Sequence, residues 1–190
     1  MNLGICIDYS RVIIRADKAL GFCPKRLDTR CTMGIFDLVP EKFCPLAFHT
    51  IYPYVMAFKQ GARLGWLKDR LSVEASCPNP QCAVVMRLIK RASKHNICDI
   101  EIIGLKSACP YGMNSGNIFL DVRQPQHACW RAFDAIMPYI NELANPAETN
   151  QGPSTSVLSA TCPGCNYSNK NHDFSTVAFK ITRRMNDVGQ

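Results

Sequence analysis

Eleven cysteines stand in this chain of 190 residues, and five of them are followed directly by proline: Cys23, Cys44, Cys77, Cys109 and Cys162. A thiolate is a soft metal ligand and a nucleophile, so dense cysteine points first to metal, cluster or redox chemistry. The odd count leaves at least one thiol outside any set of intramolecular disulfides. The opening Met1–Arg15 carries Asp8 and lacks a basic segment ahead of a long apolar run, so no secretory signal is read there. No run of ~18 apolar residues marks a membrane span. A cytoplasmic chain is expected, and in that compartment cysteines serve metals or redox chemistry more often than structural disulfides.

The spacing of the cysteines exposes a duplication. Cys44 and Cys77 are 33 residues apart, as are Cys129 and Cys162; Cys23 precedes Cys44 by 21 and Cys109 precedes Cys129 by 20. The segment Cys44-Pro-Leu-Ala-Phe-His-Thr-Ile-Tyr-Pro-Tyr54 matches Cys129-Trp-Arg-Ala-Phe-Asp-Ala-Ile-Met-Pro-Tyr139 without a gap, at an offset of 85. Two tandem copies are read, residues 1–93 and 94–190.

These residues need elements to position them. Alternating apolar stretches at 11–15 and 99–103 predict strands, each followed by a Cys-Pro loop and a short strand near 35–39 or 118–123. A helix is expected from Pro45 to about Lys59 and from Trp130 to about Leu143, with Pro45 suited to a first helical turn. Pro53 and Pro138 fall inside these helices, where a kink or early break is expected. Strands at 71–76 and 84–90, and at 156–161 and 174–182, close each copy. The segments 145–156 and 166–173 read as polar surface loops. The expected fold class is α+β, two repeats each with a small antiparallel sheet and one main helix, packed as a pseudo-dimer.

The motif series resembles a family of small Cys-Pro repeat proteins of anaerobic bacteria and archaea, with the pattern C-P-x-G-H-K-x-G-D-x-F, then C-P-x-A-x-H-x-x-Y-P, then C-P-D-P. Cys44, Pro45, Ala47, His49, Tyr52 and Pro53 match the middle motif, and Cys77-Pro78-Asn79-Pro80 matches the last with Asn for Asp. In the second copy Cys109, Gly112, Gly116 and Phe119 match the first motif, with Met113, Asn114 and Asn117 at its other polar positions. The first copy keeps Cys23-Pro24 but lacks the histidine. The resemblance covers nearly the whole chain and implies the fold unit and a cysteine-centred site. It implies no reaction, the family having no established activity.

Two ligand sets are expected. The second copy offers Cys109, Cys129, Cys162 and Cys165, the last two as a C-x-x-C pair that can chelate from one tight loop. The first offers Cys23, Cys44 and Cys77, with Cys82 or Cys31 as the fourth; Pro78 and Pro80 restrict how Cys82 can fold back. Cys44 and Cys129 open helices, where the positive helix end favours a thiolate. Cys6 and Cys98 read as buried core thiols.

Three readings compete. In the first, each copy binds a [4Fe–4S] cluster, and the chain is an accessory or electron-transfer protein serving a larger redox enzyme or other protein partner. In the second, the same thiolates hold Zn²⁺. In the third, the cysteines are core residues, and the chain is a metal-free protein-interaction or small-molecule-binding module. The chain has 22 Lys and Arg against 15 Asp and Glu, a net charge of +7, but they are scattered, so a solvated surface is expected rather than nucleic-acid binding. No phosphate loop, H-E-x-x-H or G-x-S-x-G motif is present. His49 follows Cys44 at a spacing that puts the two roughly 140° apart around an ideal helix, which disfavours a direct Cys–His pair.

Overall fold

A computed structural model describes residues 9, 12–20, 31–65, 71–91, 97–123, 129–144, 157–163 and 176–183. In chain order they form β1 (Val12–Leu20), β2 (Thr32–Gly34), a 3-10 turn (Ile35–Leu38), α1 (Pro45–Lys59), β3 (Ser72–Ser76), β4 (Val85–Lys90), β5 (Cys98–Gly104), β6 (Ile118–Phe119), α2 (Trp130–Ala144), β7 (Val157–Thr161) and β8 (Thr176–Arg183). The expected α+β class is present, with two helices and two similarly built antiparallel sheets. Pro45–Lys59 recurs as Trp130–Ala144, and Ser72–Ser76 as Val157–Thr161, each shifted by the 85 residues of the sequence match. Pro53 and Pro138 lie inside their helices without ending either.

The sheets take strands from both copies. One has the order β2-β1-β8-β7, the other β3-β4-β5-β6. In the first, β1 of the first copy runs antiparallel to β8 of the second, from Val12 opposite Arg183 to Leu20 opposite Thr176. In the other, β4 of the first copy pairs with β5 of the second, Leu88 opposite Ile100. The compact units are accordingly residues 1–38 with 124–190, and residues 39–123. The 93/94 join between the sequence copies falls between β4 and β5, inside the second of these units.

Periodicity explains the core of each unit. On α1 the buried Ala47, Phe48, Ile51, Tyr52, Val55 and Phe58 recur at three- and four-residue spacing and form one apolar stripe. Its sheet buries every second residue, with Met86, Leu88, Ile100 and Ile102 all fully covered. On α2 Phe133, Ile136, Met137 and Ile140 form the equivalent stripe, and Ile14, Phe179 and Ile181 the sheet side of that core.

Candidate functional site

Four of the expected site cysteines meet in the unit of residues 39–123. Cys44 is the N-cap of α1, with extended backbone (φ −65°, ψ 126°), and its carbonyl accepts the Phe48 N–H at 2.8 Å. The Ala47 and Leu46 backbones hydrogen-bond to its sulfur. Cys77 follows β3, and its N–H donates to the Val84 carbonyl at 2.8 Å, closing the loop between β3 and β4 at its base. Inside that loop the Asn79 side chain accepts the Gln81 N–H at 3.0 Å, and its carbonyl accepts the Ala83 N–H at 2.8 Å. Asn side chains commonly fold a turn this way. Ala83 completes the reversal in the left-handed region, at φ 40°. Two prolines therefore do not prevent Cys82 from folding back toward Cys77.

The second copy supplies the fourth cysteine. The Lys106 N–H donates to the Cys82 carbonyl at 2.8 Å, and the Ser107 hydroxyl to the Gln81 carbonyl at 2.7 Å. These bonds tie the Cys77–Val84 loop to the segment that carries Cys109. The Gly112 N–H then donates to the Cys109 carbonyl at 2.9 Å, and the chain turns through Gly112 (φ 71°) and Gly116 (φ 87°), a conformation that glycine adopts without steric cost. Met113, within this turn, is buried.

The sulfurs hydrogen-bond in series: Cys44 with Cys77, Cys77 with Cys82, and Cys82 with Cys109. All four residues are buried. The Cys44 thiol donates to Cys77, so Cys77 is drawn down from the ordinary 9.0 to about 7, with further help from the Asn79 backbone and the Cys82 thiol. Cys44, as the donor in a buried position, is pushed well above its ordinary value. Burial, and then the neighbouring Cys109 and Cys77, raise Cys82 to about 11.

This arrangement corrects the metal reading. Among the described residues, no group of three or more Cys, His, Asp or Glu side chains is disposed to hold a metal ion. The thiols contact one another in pairs, Cys44 with Cys77, Cys77 with Cys82 and Cys82 with Cys109, as hydrogen-bond partners. The expected [4Fe–4S] cluster, its Zn²⁺ alternative, and the iron–sulfur electron-transfer function built on them find no site there. The expected grouping also changes. Cys109, expected beside Cys129, Cys162 and Cys165, contacts Cys82, and Cys129 and Cys162 belong to the other compact unit.

In that other unit, Cys129 precedes α2 and its carbonyl accepts the Phe133 N–H at 2.9 Å, as Cys44 does with Phe48. The Cys162 N–H donates to the Val177 carbonyl at 2.9 Å, as Cys77 does to Val84, and the Val177 N–H returns a bond to the Cys162 sulfur at 3.4 Å. Cys23 and Cys165, with Cys6, lie outside the described residues. Cys31 is half-buried beside β2, its carbonyl accepting the Ala16 N–H at 3.1 Å. Cys98 is fully buried in β5, as expected of a core thiol, and burial raises its pKa. His49 is half-buried on α1, and its counterpart Asp134 is exposed on α2.

One surface feature went unread in the sequence. Ile118 and Leu120, expected only as parts of a short strand, are 59% and 67% exposed. The alternation around Phe119 was the available signal, because Phe119 points to the core and leaves its two neighbours on the opposite face. No family model matches the chain, and no curated protein or solved structure shows significant similarity to it.

Proposed function

We propose that the chain is a metal-free protein-interaction module that receives an extended apolar segment of a partner protein along β6. The exposed pair Ile118 and Leu120, the one in the outermost strand of the β3-β4-β5-β6 sheet and the other directly after it, carries this reading. Single exposed apolar residues are ordinary. Two large ones at i and i+2, in and directly after a terminal strand, form a surface that an added strand would cover, with its backbone extending the sheet and its alternate side chains over Ile118 and Leu120.

β6 is well anchored for this role. Phe119 packs on Phe43 at 4.6 Å between ring centroids, and Phe43 on Phe48 of α1 at 5.7 Å. Backbone bonds from Gly116 to Ile102 and from Val122 to Cys98 hold the flanking residues along β5. The nearby charges already answer one another. Arg87 pairs with Glu74 at 2.8 Å and with Glu101 at 3.6 Å, and Arg123 pairs with Asp121. A rim whose charges are paired, around an apolar pair, suits a partner that contributes apolar side chains and backbone.

No helix among the described residues is long and apolar enough to cross a membrane. Membership of the Cys-Pro repeat family belongs to the same proposal, on the motif from Cys44 to Pro53. The test is selection of short random peptides against the full chain, followed by calorimetry on the peptides recovered. Peptides of alternating apolar character are expected, losing at least about tenfold in affinity with Ile118→Lys or Leu120→Lys but not with Val157→Lys on the edge of the other sheet. Binding insensitive to both β6 substitutions would contradict the proposal.

A further inference from the structure

The serial contact of four thiols is unused by the proposed interaction surface and has chemistry of its own. Cys44 and Cys77 are hydrogen-bonded sulfur to sulfur, one on a helix N-cap and the other at the base of a closed loop. Both anchor points are fixed by backbone bonds, so the two sulfurs are held as neighbours without any rearrangement. Cys77 is followed directly by the exposed Pro78, so its buried thiol stands next to a surface position in the chain. Each of the two residues is 5% exposed, which admits a very small reagent and disfavours a bulky one.

We propose that Cys44 and Cys77 form a dithiol site oxidised by small hydroperoxides, with Cys77 as the attacking sulfur and Cys44 as the thiol that closes the disulfide. The Cys77 thiolate attacks one oxygen of hydrogen peroxide. The O–O bond breaks, Cys77 becomes a sulfenic acid, and the departing hydroxide takes up a proton to become water. The Cys44 sulfur then attacks the Cys77 sulfur and the S–O bond breaks. The hydroxide that leaves combines with the proton from Cys44 as a second water. Two thiols lose two electrons and one peroxide gains them.

The local donors assign the two roles. The Cys44 thiol, the Asn79 backbone and the Cys82 thiol all hydrogen-bond toward Cys77 and stabilise negative charge there. Cys44 keeps its proton and stands next to the sulfur it must attack, as a resolving thiol does. Cys82, also in contact with Cys77, is the competing resolving group, which the experiment separates from Cys44.

The test uses the full chain, reduced, freed of reductant without air, and treated with one equivalent of hydrogen peroxide. Remaining thiols are then alkylated and peptides mapped by mass spectrometry. The expected result is loss of two thiols per peroxide and a peptide pair linked through Cys44 and Cys77. Cys98, a fully buried thiol of the same unit, is the internal reference, and Cys77 should react at least about tenfold faster. Cys44→Ser should leave a sulfenic acid on Cys77 that a dimedone-type reagent captures. A Cys77 no faster than Cys98, or a wild-type link from Cys77 to Cys82 in place of Cys44, would overturn the proposal. Both of these readings come from the wild-type chain and do not depend on a variant folding.

Discussion

At the scale of single residues, what distinguishes the cysteines is the proton each one holds. Cys77 is pulled down to about 7, so between pH 7 and the ordinary thiol value of 9.0 the folded chain has released a proton that the unfolded chain still binds. Stability from this group therefore rises with pH across that window and is lost as pH falls through about 7. Cys44, Cys82 and Cys98 are raised, so above 9.0 the unfolded chain releases protons that the folded chain retains, and their contribution falls; the share of Cys82 is complete by about 11. Chemical denaturation at pH 7, 9 and 11 should find greatest stability at the middle value, and Cys77→Ser should abolish the rise below it. A stability that falls steadily from pH 7 would contradict the assignment. The sequence marks these residues as chemically important through Cys-Pro spacing. Spacing alone does not tell a cluster ligand from a hydrogen-bonded thiol, since both require sulfur held on stiff loops.

Among the elements, the helices were the most legible. The gapless match of Cys44–Tyr54 to Cys129–Tyr139 places α1 and α2 within a residue of their ends, because one buried stripe at helical spacing defines both. The stretch 35–39 is different. Its apolar residues predicted a strand, but Ile35 and Leu38 are buried three apart on a 3-10 turn, while Phe36 is 42% exposed. The Asp37 carboxylate accepts the Gly34 N–H at 2.7 Å, a local bond that turns the chain where a strand would have continued. The matched helices also make a matched prediction. Phe48 and Phe133 occupy equivalent, fully buried positions, so Phe48→Ala and Phe133→Ala should each cost about 3–5 kcal/mol in denaturant unfolding. A cost below about 1 kcal/mol for either would mean that its helix does not pack as described.

The whole molecule shows why duplication was legible in the sequence and strand exchange was not. Both copies carry the same alternating pattern, so β4 has a partner of equal quality in its own copy and in the other; hydrophobic period selects the face of a strand but not its neighbour. The structure joins β4 to β5 and β1 to β8, and this crossing brings Cys109 of the second copy to Cys82 of the first. The far end of the thiol series, from Cys82 to Cys109, depends on that meeting. The measurement that tests it most directly is a cysteine-pair map of the intact chain after prolonged mild oxidation, when slower pairs have also closed. Crossing predicts a link between Cys82 and Cys109 beside the one between Cys44 and Cys77. A link from Cys109 to Cys129 or Cys162, its partners in the sequence copy, would contradict the exchanged sheets and the thiol series together.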